Sequence, residues 1–474
     1  VDTADVVVVG AGPTGLMLAC EFALGGLAVR LLEERASTPN ITRAFAVHAR
    51  TLELLDARGM ADALIPLGVS VYDVAPPGGA TLDLRELPGR YAMLLIVPQS
   101  GTEQVLEGRA AELGVPIVRG AEVVRLAQDD DGVTVECADG QTVRAKYVVG
   151  CDGAHSTVRS QVGIDFVGKQ YETHILLADV ALSRAPEDTL TGVTNERGVV
   201  LMIPFGDGWF RAIGWDRLRE QAPLSEPVTL DEIRDSFIRI AGDDYGMTDM
   251  RWSSRFLSER RQARHYRSGR VFIAGDAAHV HSPLGGQGMN TGIGDAMNLG
   301  WKLVAAVNGS APPGLLDSYE SERHPVGAAV LRTTDAFNQV VLGRSKVQRI
   351  ARNIVIGTLT RVPKTRRILR EFLSGIGITY AHKRGDHRMV GRRMPDIDCD
   401  GTRLYELLRG QKFVMVTATP AQLDRSDVVH VVGRHPEIPD AVLVRPDGYV
   451  AWASDRVPSA TELVAAIDNW THQK

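Results

Sequence analysis

Four valines, Val6–Val9, run without a polar break and end in the turn GAGPTG at residues 10–15. Small and apolar residues then recur at helical spacing over Pro13–Leu24, and a second apolar run, Ala28–Leu32, ends on Glu33. An uninterrupted apolar run bounded by turn residues predicts a strand buried on both faces of a parallel sheet, with the helix covering it. The opening is therefore a right-handed strand–helix–strand unit. A further helix over Ala49–Arg58 carries Leu52 and Leu55 on one side.

From about residue 70 the period changes. Pro76-Pro77-Gly78-Gly79 predicts a turn, and TLDLRELPGRYAMLLIVPQ alternates as antiparallel strands do. After a helix near 102–113, Glu122–Arg125, Val133–Ala138 and Thr142–Val149 predict a small meander turned at Asp139-Gly140. ILLADVAL, GVVLMIPF and WFRAIGW, between 172 and 268, predict a second antiparallel sheet with a hairpin at Gly206-Asp207-Gly208. The strand RVFIAG, a loop and a long helix then lead back to the first unit, and 330–375 reads as helical and basic on one face. GDHRMVGRRMPD breaks the pattern as a linker. KFVMVTA, VVHVVG and AVLVRPDGYVAWAS with a closing helix from about 458 predict a small separate α/β unit.

The chain has 474 residues, 44% hydrophobic and 23% charged, with a net charge of −5. Its length asks for more than one core. The interspersed charge gives no reason to expect nucleic acid or a membrane surface as partner. No stretch predicts a membrane span and the first residues lack a signal pattern, so a cytoplasmic protein is expected. Cys20, Cys137, Cys151 and Cys399 are scattered and form no CxxC, so structural thiols are expected and no metal site.

Gly10, Gly12 and Gly15 form G-x-G-x-x-G between a strand and a helix that opens with Pro13 and Thr14. Gly10 permits the tight turn, Gly12 lets backbone amides approach a pyrophosphate, and Gly15 lets helix and strand pack closely. Glu33 stands where a carboxylate can accept from ribose hydroxyls. These residues predict a bound dinucleotide, NAD or FAD.

Two later stretches carry a resemblance. YVVGCDGAHSTVR at 147–159 resembles the DG motif of class A flavoprotein monooxygenases, and RVFIAGDAAHVHSPLGGQGMN at 270–290 resembles their GD motif and following loop. The whole chain looks like this family of FAD-dependent aromatic hydroxylases, typified by p-hydroxybenzoate and phenol hydroxylase. It is most similar to the actinobacterial polyketide-tailoring, angucycline-type hydroxylases. The fold implied is α/β: a Rossmann-like FAD-binding domain interleaved with an antiparallel-sheet substrate domain, plus a small thioredoxin-like C-terminal domain without redox cysteines. The expected FAD-binding parts are 1–71, 99–171 and 269–385, the last including a helical region. The substrate parts are 72–98 and 172–268, and the C-terminal domain is 386–474.

The resemblance implies FAD, NADPH or NADH, and O2, acting through a C4a-hydroperoxyflavin on a polycyclic aromatic small molecule. A monomer or homodimer is expected. Asp276, after Gly275, matches the family's ribityl anchor. Gly286, Gly288, Met289 and Asn290 match the loop at the flavin ring, and Pro283 matches a residue on the oxygen-reacting side. Asp152 lies in the segment used near the pyrophosphate and for the nicotinamide nucleotide, and Arg43 and Gln99 match FAD-contacting positions. His155 stands where many relatives carry Arg or Lys, which leaves NADPH against NADH open. Leu94, Leu201, Ile203, Phe205, Phe210 and Trp215 are expected on the substrate-facing side, and equally suit a half-buried sheet. His279, His281, Tyr91 and Arg211 are candidate bases, with His279 read as structural. No catalytic residue is assigned. The rivals are Baeyer–Villiger insertion, epoxidation or antibiotic inactivation on the same fold, a flavin-free NAD(P) dehydrogenase, and a cofactor-less scaffold.

Overall fold

The computed structural model describes residues 2–37, 44–74, 81–186, 190–282, 285–341, 356–358, 360–421, 423 and 425–471. Arg43, Pro283 and the turn expected at Pro76–Gly79 lie outside the described residues. Strand β1 (Asp2–Val9) is the centre of the first sheet, with helix α1 (Pro13–Leu24) following it and β2 (Val29–Glu33) beside it in parallel. On its other side β3 (Thr142–Gly150) pairs in parallel, Val7 against Val148, and the Val271–Ile273 strand extends the sheet beyond β3. Val6, Val7 and Val8 are fully buried, as an uninterrupted run in a two-sided sheet must be. This register brings the carboxyl ends of β1, β3 and the Val271–Ile273 strand to one edge, so the glycine turn, Cys151-Asp152 and Gly275-Asp276 emerge side by side.

The second sheet holds β4 (Phe166–Leu182), β5 (Gly198–Pro204), β6 (Trp209–Asp216) and β7 (Met247–Ala263), all antiparallel. Its last pairing, Gln262 with His279, fastens it to the loop after Asp276. One face packs on the helix Leu230–Ala241; the other packs on Phe45, Ala46 and Ile96. Leu94, Leu201, Ile203 and Phe205 belong to this second face, together with Ile213. Phe210 does not: it packs on the helix side, because it is out of phase with Arg211, Ile213 and Trp215 along the strand.

Helix α2 (Ala49–Asp56) and the long helices α3 (Gln287–Val307) and α4 (Asp317–Val341) complete the first unit. The C-terminal unit is a four-stranded sheet in the order Val428–Val432, Phe413–Thr417, Ala441–Val444, Val450–Ser454, the first pair parallel and the others antiparallel, closed by the helix Ala460–Asp468. It docks on the first unit in two ways. Trp301 of α3 packs edge-on against Phe413, and a set of buried ion pairs lies alongside. Among the described residues no helix is long and apolar enough to cross a membrane, and no group of His, Cys, Asp and Glu gathers as a metal site. The four cysteines are free, three of them buried.

Candidate cofactor site

The three glycines of the first turn do different work. Gly10 has φ +100, and a Cβ there would fall 2.4 Å from the Cys151 carbonyl oxygen. At Gly15 a Cβ would fall 1.9 Å from the Gly10 carbonyl oxygen. Both positions are closed by the protein's own backbone, so no side chain fits. Gly12 has nothing within 4 Å of its Cβ position. It caps α1 with no side-chain partner and Pro13 opens the helix, so the first-turn amides face open space where an anion is stabilised by the helix dipole.

Glu33 supports this turn from behind. Its Oε2 accepts from the Ala11 amide at 2.7 Å, and its Oε1 accepts from the Arg35 amide and Nε. Burial works against its charge, and these three bonds outweigh it, holding the carboxyl below its ordinary range.

The DG and GD segments lock onto the turn. Asp152 accepts from the Ser156 hydroxyl at 2.5 Å and the Val158 amide at 3.0 Å, an arrangement that caps the short helix Thr157–Gln161. Burial raises the Asp152 carboxyl above its usual range despite those donors. Arg159 is buried; it donates to the carbonyls of Ala277 and Ala154, and its guanidinium lies 3.8 Å over the Phe166 ring. It therefore joins the two motifs to each other, while His155 is exposed. Gly275 lies against Thr14, whose Oγ1 would be 2.7 Å from a Cβ at that position. Asp276 is exposed and has no hydrogen-bond or ion-pair partner among the described residues. Its Oδ1 is 3.8 Å from the Cβ position of Gly288, so the carboxylate faces the first turn of α3.

Helix α3 begins after Gly286 (φ +62) without a side-chain cap, leaving its first amides free. Asn290 fixes that turn from within: Oδ1 accepts from the His48 amide, and Nδ2 donates to the carbonyls of Ala46 and Gly286. Met289 is half-buried against the central core. Gln99 accepts from the Ala44 amide and donates to Glu103, tying the segment before Phe45 to the helix Gln99–Glu112.

Three of the candidate bases, His279, Arg211 and Tyr91, are buried by the protein, whereas His281 keeps its Nε2 without a hydrogen-bond partner among the described residues. His279 is fully buried, with Nε2 2.7 Å from Asp295 Oδ2. Arg211 is fully buried and donates to Asp179 at 2.6 Å. Tyr91 is buried in the central core, where burial and Asp56 raise its pKa. The His281 Nδ1 is 2.9 Å from the neighbouring Ser282 carbonyl, and burial lowers its pKa.

Sequence reading missed Asp295, which holds the GD loop together. It accepts from the Gly275 amide, from His279 and from Arg323 Nε. Burial opposes its charge, and Arg323 and His279 overcome that and lower its pKa. A signal existed: Thr291, Asp295, Asn298 and Lys302, spaced 4, 3 and 4, form a polar stripe on one face of α3, and all are buried.

A family model described as an FAD binding domain matches residues 3–334, and one described as the C-terminal domain of aromatic-ring hydroxylases matches 387–473. The chain is 40% identical over 475 residues to a rifampicin monooxygenase of Streptomyces venezuelae, covering 98% of each. Among solved structures it is similar to the anhydrotetracycline hydroxylase OxyS from Streptomyces rimosus, with TM-score 0.85, 38% identity and 99% of each chain covered. It is also similar to CabE, an aromatic hydroxylase from angucycline biosynthesis, with TM-score 0.85, 37% identity, and 98% of this chain and 99% of that one covered.

Proposed function

The chain belongs to the FAD-binding aromatic-ring hydroxylases, and from that premise we propose that it inserts one oxygen atom into a polycyclic, polyketide-type aromatic molecule. It is an FAD-dependent monooxygenase that uses O2 and a nicotinamide nucleotide. FAD supplies the redox and oxygen chemistry; the protein binds, orients and shields it.

The observation that carries the site assignment is the meeting of remote segments at one sheet edge, each offering an unused polar group. The amides of Gly12, Thr14 and Gly15 at the start of α1 suit the pyrophosphate, with Glu33 fixing that turn. The unpartnered Asp276 suits a ribityl hydroxyl. The free amides at Gly288–Asn290 suit the pyrimidine edge, where negative charge gathers on reduction. Donors and acceptors thus alternate along this sheet edge in the order that FAD would meet them. The apolar sheet face with Leu201, Ile203 and Phe205 suits an aromatic substrate. The similarity to CabE and OxyS supports a multi-ring one. The sheet order of the C-terminal unit is compatible with a thioredoxin-like domain.

The test is NADPH oxidation across a panel of polyketide aromatics, with O2 uptake and product mass recorded. A coupled gain of one oxygen atom is expected; NADPH loss without a product of that mass would sink the reading. A second reading, antibiotic inactivation, is favoured by the 40% identity to a rifampicin monooxygenase. Labelled dioxygen separates the two: label in a phenol supports hydroxylation, and label in a ring ether or ester with loss of antibiotic potency supports inactivation.

A further inference from the structure

A cavity of about 20 Å³ lies behind the first turn of α3, walled by His48 and Arg50, by Gln287 and Arg323, and by Asp447 and Tyr449 of the C-terminal unit. His48, Arg50 and Gln287 are all at least nine-tenths buried. Each carries one buried polar atom with no partner: His48 Nδ1, Arg50 Nε and Gln287 Nε2.

We propose that these three atoms bind one water molecule, and that this water ties the C-terminal unit to the turn that meets the cofactor. The donor pattern selects the ligand. His48 Nε2 lies 3.1 Å from the Gly285 carbonyl oxygen, so that nitrogen carries the proton and Nδ1 presents a lone pair. Arg50 Nε and the Gln287 amide nitrogen are donors. A cation would face two donors, and an anion would face the imidazole lone pair. Water accepts twice and donates once, completing about three bonds, as buried waters do. The volume exceeds the roughly 10–15 Å³ that one water needs. Burial lowers the His48 pKa to about 4, so the imidazole keeps this neutral form at physiological pH.

His48 and Arg50 stand together at the start of α2, and Gln287 stands at the start of α3. Arg50 is clamped by the Asp447 carbonyl and the Tyr405 hydroxyl of the C-terminal unit and by Glu53. His48 holds the Gly285 carbonyl through its ring and Asn290 through its amide. Gln287 is the first residue of α3. The water closes this triangle, making His48 and Gln287 positioning residues. Their effect on FAD rests on the function proposed above; the water site does not.

High-resolution crystal structures with and without FAD should show a density peak within roughly 2.7–3.2 Å of all three atoms. An empty cavity, or the three side chains paired with other groups, would overturn the site. Gln287→Leu should weaken FAD binding about tenfold and remove one long-lived water from oxygen-17 relaxation, leaving the circular dichroism unchanged. Unchanged FAD affinity in the folded variant would overturn the coupling. If the variant does not fold, the wild-type density decides the site, and His48→Phe, which keeps a ring, tests the coupling. A wild-type protein unable to bind FAD would remove the proposed function while the density peak still tests the water site.

Discussion

Two seams hold distant parts of this chain together, and they use opposite physics. At the cofactor edge Gly10 meets Cys151, Gly15 meets Gly10 and Gly275 meets Thr14, all by close approach of backbone and small side chains. At the C-terminal seam the contacts are charged and buried. Arg58 pairs with Glu21 and donates to the carbonyls of Leu408 and Pro446. Arg445 grips Glu322 at 2.7 Å and Asp447 at 2.5 Å, while Lys302 donates to the same Glu322 at 2.8 Å. The first seam leaves helix-start amides uncapped; the second pairs nearly every charge it buries. A seam that binds a ligand keeps groups open toward it, and one that joins domains pairs its charges with each other.

Substitutions that strain or strip each seam should separate them. Gly15→Val drives a side chain into the Gly10 carbonyl and should cost about 3 kcal/mol or more, with loss of FAD, read by thermal melting and flavin content. Arg445→Met leaves Glu322 and Asp447 without their guanidinium and should cost roughly 3–5 kcal/mol in denaturant melts. Its loss should appear first as release of the C-terminal unit to limited proteolysis. Asp276→Ala and Gly12→Ala remove no contact within the protein, so melting should shift by less than about 0.5 kcal/mol. Both should nevertheless weaken FAD binding at least tenfold, or about 1.4 kcal/mol, by titration. A pH dependence belongs to the same C-terminal seam. Burial opposes the Glu322 charge, but Arg445 and Lys302 hold its carboxyl below its ordinary value of 4.5. Its stabilising contribution is full above that value and declines as pH falls below it, so the melting temperature should drop on the acid side; Glu322→Gln should flatten that drop.

Legibility in the sequence follows the same division. The parallel strand at Val6–Val9, its helix and the glycine turn are local patterns, and the structure has β1 and α1 where they were expected. The antiparallel sheet is equally local, yet the side of Phe210 is not: a one-residue change of phase sends it to the helix face while Ile203 and Phe205 stay on the other. The buried charges escape for a physical reason. Arg58 and Leu408 are 350 residues apart and Arg445 and Glu322 are 123 apart, so neither pairing leaves a period or spacing to read. Arg159 shows the same limit. In the sequence it stands as a cation beside the pyrophosphate segment; in the fold its charge is spent on the Ala277 and Ala154 carbonyls.

The most direct test is titration of FAD into protein stripped of flavin. The account predicts saturable uptake of one FAD per chain with a flavin visible spectrum, weakened by excess ADP-ribose competing for the pyrophosphate turn. A colourless protein that takes up no FAD, or one that binds it with Asp276 and Gly12 both replaced as tightly as without, would contradict it.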